Sequence, residues 1–379
     1  MHTRLSAQGG QASSRLVPLR SVGVTPDSPL DAEDLRTRVQ KALDDALAHQ
    51  AEVLDAVSPD LAPLREAISD LLSGGKRLRA AFCYWGWRGA GGPDTAEVLT
   101  VAASLEVFQA AALIHDDVMD GSDTRRGMAA VHRRFASLHR GNSWLGSPEA
   151  FGVAGAVLAG DLCLSWCNEL YAESALPPEV LARGRGVFDQ MRTELMCGQY
   201  LDMLEQVRAT TSVQQARHVI RYKSANYTVA QPLLLGGALA GAPAPLLAAY
   251  DDYGLALGEA FQLRDDVLGV FGDPAATGKP AGDDLREGKR TVLVASAMET
   301  ASPAELAEIR RSLGDPHLDA DGVERLRTLL VEVGALAAVE RLIASLCDSA
   351  LTTLATAEVD PEARNVLERL VVAATARDQ

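Results

Sequence analysis

The sequence predicts an all-α protein folded as one large helical bundle domain. Ala and Leu dominate its 47% hydrophobic content, aromatics are only 5%, and β-branched residues are sparse. No segment alternates apolar and polar residues with period two over a convincing length. Helical periodicity runs almost to the end of the chain, interrupted only by short Gly, Pro and Asp punctuation. No period of 20–50 residues repeats, and nothing resembles an interdomain linker.

Residues 1–30 read as a disordered tail. Arg4, Arg15 and Arg20 are scattered there among Ser and Gln, without an apolar run for a secretory signal. Gly9-Gly10 and the lack of amphipathic period favour a tail over a transit peptide. The domain is expected over residues 31–377, its first helix starting at Asp31-Ala-Glu-Asp34, where acids suit a helix N-terminus. Breaks follow at residues 58–59, 89–93, 121–127, 141–148, 177–178 and 241–245. The most polar break spans residues 272–288. The longest charge-free stretch, residues 224–250, is interrupted by Pro232, Gly236, Gly237, Gly241, Pro243 and Pro245. It reads as two buried helices joined at 241–245, so no membrane span and a soluble, cytoplasmic protein are expected.

The net charge of −15 and a pI near 4.9 argue against a nucleic-acid partner and a polybasic membrane anchor. The five cysteines (Cys83, Cys163, Cys167, Cys197, Cys347) are too scattered for a disulfide framework and read as reduced core thiols.

The strongest chemical signal is LIHDDVMD at residues 113–120. Asp116 and Asp120 stand four apart on one helix face, with Asp117 beside them. Like charges there repel unless a cation neutralises them, and hard oxygens at this spacing suit Mg²⁺ shared with a substrate phosphate. A solvated acidic helix end is the plain alternative. Asp265 and Asp266 form a second pair after an apolar run, one turn beyond Phe261-Gln262; Asp44-Asp45 and Asp251-Asp252 read as ordinary exposed acids.

Of 36 basic residues only five are lysines, and four of these fall in Gly-rich or polar segments around the acids. Lys76 lies in GGKRLR with Arg79, Lys223 precedes Ser224 in YKSANY, and Lys279 and Lys289 follow the second acidic pair. Arg125-Arg126 trails the first pair. A compact ammonium where the background prefers Arg suits phosphate binding. Residues 272–279 miss P-loop spacing by one residue, and Pro280 stands where Ser or Thr is needed. Acids for metal and separate cations for phosphates suggest a cavity for two polyphosphates attached to apolar groups.

Over about residues 64–354 the chain resembles trans-isoprenyl diphosphate synthases of the polyprenyl synthetase family, most of all bacterial geranylgeranyl diphosphate synthases. The motifs GGKRLRA, DDVMD with its trailing RRG, GDLCLSW, GQYLD, YKSANY, FQLRDDVLG and TGKPAGDDLREGKRT occur in family order. The resemblance implies an isoprenoid-synthase bundle around a central active-site cavity. It also implies head-to-tail condensation of isopentenyl diphosphate with an allylic diphosphate, giving geranylgeranyl diphosphate (C20), with farnesyl or C25-and-longer products as alternatives. Up to three Mg²⁺ ions would be held with diphosphate by Asp116, Asp117, Asp120 and Asp265. Lys76, Arg79, Arg126 and Gln109 would bind isopentenyl diphosphate. Arg125, Lys223, Ser224, Phe261, Gln262, Lys279 and Lys289 would serve the allylic substrate. A homodimer is implied as well.

Ala80 replaces a frequent Pro, Ser224 a frequent Thr, and Gly269 the last Asp of the second motif. The proton is expected to leave with diphosphate, and His115 to serve helix packing. Along the helix ending at Asp116, small Ala111 and Ala112 would leave a prenyl tunnel open as far as Phe108, the candidate floor. A class I terpene cyclase, a non-catalytic partner subunit and a purely structural acidic protein are the competing readings.

Overall fold

The computed structural model describes residues 28–208, 212–272 and 282–375. Most of the expected tail, Lys279 and the last residues of the expected domain lie outside the described residues. The helices are α1 (Leu35–Val57), α2 (Ala62–Leu72), α3 (Leu78–Gly89), α4 (Ala96–Met119), α5 (Val131–Gly141), α6 (Pro148–Ala172) and α7 (Pro178–Arg208). After α8 (Val213–Ile220) comes a π-helical segment, Arg221–Ala230, followed by α9 (Gln231–Ala240) and α10 (Ala244–Phe271). A single turn, α11 (Asp283–Arg286), leads to α12 (Val292–Thr300), α13 (Pro303–Ser312), α14 (Ala320–Glu332), α15 (Ala335–Thr356) and α16 (Pro361–Thr375). Strands among the described residues are confined to a small hairpin, β1 (Thr124–Arg125) with β2 (Met128–Ala129).

The expected first helix starts late. Glu33 and Asp34 are left-handed (φ 54° for both), and α1 begins at Leu35. The chain turns here because Leu30 enters the core while the Glu33 carboxylate reaches back to Tyr84 and Arg88. Packed structure therefore includes Pro29 and Leu30, which the sequence had assigned to the tail.

α4 is the centre of the bundle, buried along nearly its whole length against α6, α3 and α1. Across from it α3 crosses α9 backbone to backbone: a Cβ on Gly86 would strike the Leu233 carbonyl, and one on Gly236 the Cys83 carbonyl. A second apolar cluster gathers α8, α12, α13 and α14. α10 belongs to both clusters, with Tyr250, Tyr253 and Leu257 in the first and Leu263, Val267 and Val270 in the second. Its acidic pair thus sits where the two clusters meet.

α4 and α6 are long and apolar enough to cross a membrane by length and composition. α4 earns that composition as a core helix, with 72% of its apolar window buried. α6 buries only 39% and leaves Phe151, Val157 and Leu158 exposed beside Trp144 and Leu145. The charge-free stretch singled out from the sequence instead supplies the π segment, α9 and the start of α10, joined at a left-handed Gly241.

Candidate active site

A cavity of about 960 Å³ opens between α4, α7, the π segment and α10. α4 delivers Asp116 and Asp120 to its wall. Both stand at a helix C-terminus, where the macrodipole is already negative, so local physics opposes the arrangement. Burial, and then the Asp116 charge, push the Asp120 carboxyl up to about 6, against the pull of Lys223 and Lys289.

Asp117 is turned away from the cavity, only 2% exposed, and accepts two hydrogen bonds from Arg125, one of them 2.9 Å from Nε. Arg125 also lies 3.5 Å from Asp116. The hairpin separates the two adjacent arginines. Arg126 and Gly127 form its two-residue turn, both with positive φ (54° and 75°), as tight hairpins require. Arg126 therefore points the other way and donates to the Leu71 and Gly74 carbonyls at 2.7 Å, outside the cavity wall.

Lys223 and Ser224 enter the wall from the π segment, together with Tyr227 and Thr228. Gln231 N–H donates to Asn226, five residues back, and Pro232 follows. A proline in a regular helix would collide with the carbonyl four residues earlier, here Thr228; the wider turn moves that carbonyl aside. Gly198 of α7 and Gly258 of α10 let this segment seat closely, since a Cβ on either would meet the backbone at Lys223 or Ala225. Lys223 Nζ is 2.6 Å from Asp202 and 3.4 Å from Asp116. Burial opposes its charge, but Asp202 and Asp116 outweigh burial and raise its pKa.

α10 contributes Phe261, Gln262 and Asp265 to the opposite wall. Asp266 is buried and accepts from Gln262 at 2.8 Å; burial, with Asp284 and Asp265 adding to it, pushes the carboxyl up to about 8. Lys289 lies 2.9 Å from Asp284 and 2.7 Å from Glu287. Lys76 and Arg79, from the entry to α3, also line the cavity. The Arg79 guanidinium stacks 4.1 Å over the Tyr227 ring and donates to Thr228 at 2.9 Å, while its Nε is buried without a protein partner. Gln109 accepts from the Tyr227 hydroxyl.

The deep wall is apolar: Phe108, Ala112, Leu113, Leu164 and Leu195. Phe108 stands edge-on to Tyr227, 6.3 Å between centroids. Ala111, five residues before Asp116, is rotated by about 140° from it around α4 and is packed in the core. It does not reach the wall, contrary to the sequence expectation. His115 sits over Gly160, whose missing side chain makes its space, and its Nε2 lies 3.2 Å from the Val157 carbonyl. His115 also lines the cavity.

The structure thus gathers most of the candidates and leaves out Asp117, Arg126 and Ala111. Sequence reasoning missed Asp202, Asp284 and Tyr227 as wall residues. Asp202 and Tyr227 lie inside the motifs GQYLD and YKSANY, and Asp284 is the second member of an Asp-Asp pair. The partners of the first two lie 21 and 118 residues away, Lys223 for Asp202 and Gln109 for Tyr227, so only the fold shows them.

The polyprenyl synthetase profile matches residues 62–330. A geranylgeranyl pyrophosphate synthase from Corynebacterium glutamicum, complexed with isoprenyl diphosphate and magnesium, superposes with a TM-score of 0.87 at 40% identity. That match covers 91% of this chain and 99% of that one. A geranylfarnesyl diphosphate synthase of Aeropyrum pernix is 32% identical over 268 residues, 70% of this chain and 78% of its own. A geranylgeranyl diphosphate synthase of Methanosarcina mazei is 30% identical over 308 residues, 79% and 88% respectively. With the ordered motifs, the helical bundle and this cavity in agreement, the chain belongs to the polyprenyl synthetase family.

Proposed function

We propose that this protein is a prenyltransferase that joins isopentenyl diphosphate head to tail to an allylic diphosphate, with geranylgeranyl diphosphate (C20) as product. The observation that carries the reading is one cavity with two separate basic groups, Lys76 with Arg79 and Lys223 with Lys289, around acids from α4 and α10, above an apolar well. A terpene cyclase handling one diphosphate has no use for the first basic group.

The donor set fits magnesium. Asp116 and Asp120 share one helix face and line the cavity with Asp265, and burial and then the Asp116 charge disfavour the Asp120 carboxylate, a setting that a bound cation would ease. Among the described residues no three acidic, His or Cys side chains form a group that could hold a metal ion unaided; the reading therefore needs diphosphate oxygens to complete the coordination of up to three ions. When bound, magnesium supplies charge neutralisation of the departing diphosphate.

The chain's own groups do the rest. Lys223 and Lys289 hold the allylic diphosphate and favour its departure, leaving an allylic cation in a cavity walled by Phe261 and Tyr227. Asp117 keeps the Arg125 guanidinium aimed at the same site. Lys76, Arg79 and Gln109 hold isopentenyl diphosphate so that its double bond attacks the cation. Arg126 acts through the loop: by binding the Leu71 and Gly74 carbonyls it fixes the approach to Lys76. The proton leaves to the released diphosphate. The same reading has the protein act in the cytoplasm, with α4 a core helix.

Incubation with isopentenyl diphosphate and dimethylallyl, geranyl or farnesyl diphosphate, followed by product sizing, tests the proposal. A linear C20 diphosphate is expected; a hydrocarbon or no product rejects it. Phe108→Ala should add at least one five-carbon unit, because it deepens the well by about one helix turn of 5.4 Å. Ala112→Phe should shorten products towards C15. Unchanged product lengths in both active variants remove α4 as the ruler.

The exposed apolar face of α6, with Trp144 and Leu145, is the surface we assign to a homodimer. Sedimentation should give twice the chain mass, and Leu158→Arg should halve it; a monomeric parent refutes the assignment.

A further inference from the structure

Gly269 occupies the last position of the second acidic motif, one turn after Asp265 on α10, and lines the cavity. A methyl group there fits only if the Asp284 side chain moves: a Cβ would stand 2.7 Å from Asp284 Cγ and overlap Oδ2. The Asp284 carboxylate, 9% exposed, has taken the space beside α10. Asp284 in turn holds Lys289 twice. Its Oδ1 accepts from the Lys289 ammonium at 2.9 Å, and its carbonyl accepts the Lys289 N–H at 3.0 Å.

We infer that Gly269 is a socket that seats Asp284 and so positions Lys289 in the cavity. Asp284 is a positioning residue: it acts on substrate through Lys289. The glycine then matters to this site, since a side chain at 269 would unseat one of the two carboxylates that hold the ammonium, leaving Glu287 at 2.7 Å as the other. The inference rests on the reading that Lys289 holds the allylic diphosphate. It gives an outcome opposite to motif repair: Gly269→Asp, which completes the aspartate triplet, lowers activity.

The test compares the parent, Gly269→Ala, Asp284→Ala, their double variant and Lys289→Ala, by steady-state kinetics and by calorimetric titration of inorganic diphosphate with magnesium. Gly269→Ala should raise the KM for the allylic substrate by about tenfold and leave that for isopentenyl diphosphate within about twofold. Diphosphate affinity should fall by a similar factor. Adding Gly269→Ala to Asp284→Ala or to Lys289→Ala should cost less than about twofold more, because all three remove one interaction. An unchanged allylic KM, equal rises for both substrates, or multiplying effects in the double variant overturn the inference. Should Gly269→Ala fail to fold by circular dichroism, Asp284→Asn decides: it keeps the socket filled, and the same allylic-only rise is expected, while parental KM values overturn it. A parent that makes no prenyl product would sink the functional reading alone. The diphosphate titration then decides the socket: affinity lost in Gly269→Ala supports it, and unchanged affinity overturns it.

Discussion

Asp120→Ala and Asp116→Ala should each lower the condensation rate by about 10³-fold or more while the protein stays folded. The rate effect follows from the geometry: these carboxylates are the α4 contribution to the acids that line the cavity with Asp265. Retention of the fold follows from the electrostatics. Asp120 is held in a setting that disfavours its charge, through burial and then Asp116, so its removal relieves the folded state. Removing Asp116 leaves Lys223 paired with Asp202 at 2.6 Å. Single-turnover rates and melting temperatures measured on the same preparations check both halves. Activity within tenfold of the parent, with unaltered magnesium dependence, would reject the assignment.

The reason this site could be found in the sequence is that its acids sit where isolated helices would not place them. Carboxylates at the end of an apolar stripe, at the negative pole of α4, oppose local stability. Lysines in a chain that otherwise prefers Arg marked the counter-charges. What stayed hidden depended on backbone geometry and long-range contacts. Arg125 and Arg126 are neighbours in sequence, and only the positive φ at Arg126 sends them to opposite sides of the hairpin. The π segment escaped helical periodicity because its i→i+5 bonds shift the register of Lys223, Ser224 and Tyr227. Ala111 neighbours Ala112 in sequence, but 100° per residue turns it into the core. The hydrophobic composition of α4 signalled a core helix without saying which of its residues border a cavity.

Glu106→Ala should cost about 3–5 kcal/mol of stability, the usual result of breaking one side of a buried ion pair. Glu106 and Arg77 are each only 4% exposed and lie 3.6 Å apart. Arg77 is left-handed (φ 56°) and stands at the N-cap of α3 without a capping side chain of its own. Glu106 supplies the cap from α4: its Oε1 accepts the Ala80 N–H at 3.1 Å, placing a carboxylate at the helix N-terminus where the macrodipole favours it. Alanine would leave that N–H without its acceptor and the buried Arg77 charge without its acid, although Arg77 would keep its hydrogen bonds to Gln40 and the Leu72 carbonyl. The double variant Glu106→Leu with Arg77→Met should recover at least half of the loss, because paired apolar replacements leave no buried charge. Melting curves of the parent and the two variants decide this, and a Glu106→Ala protein as stable as the parent would refute the role of the pair. The kinetic consequence should also be one-sided. Arg77 lies between Lys76 and Arg79, so loosening it should raise the KM for isopentenyl diphosphate more than that for the allylic substrate. An equal rise for both would show that the pair supports the bundle as a whole and does not specifically hold this clamp.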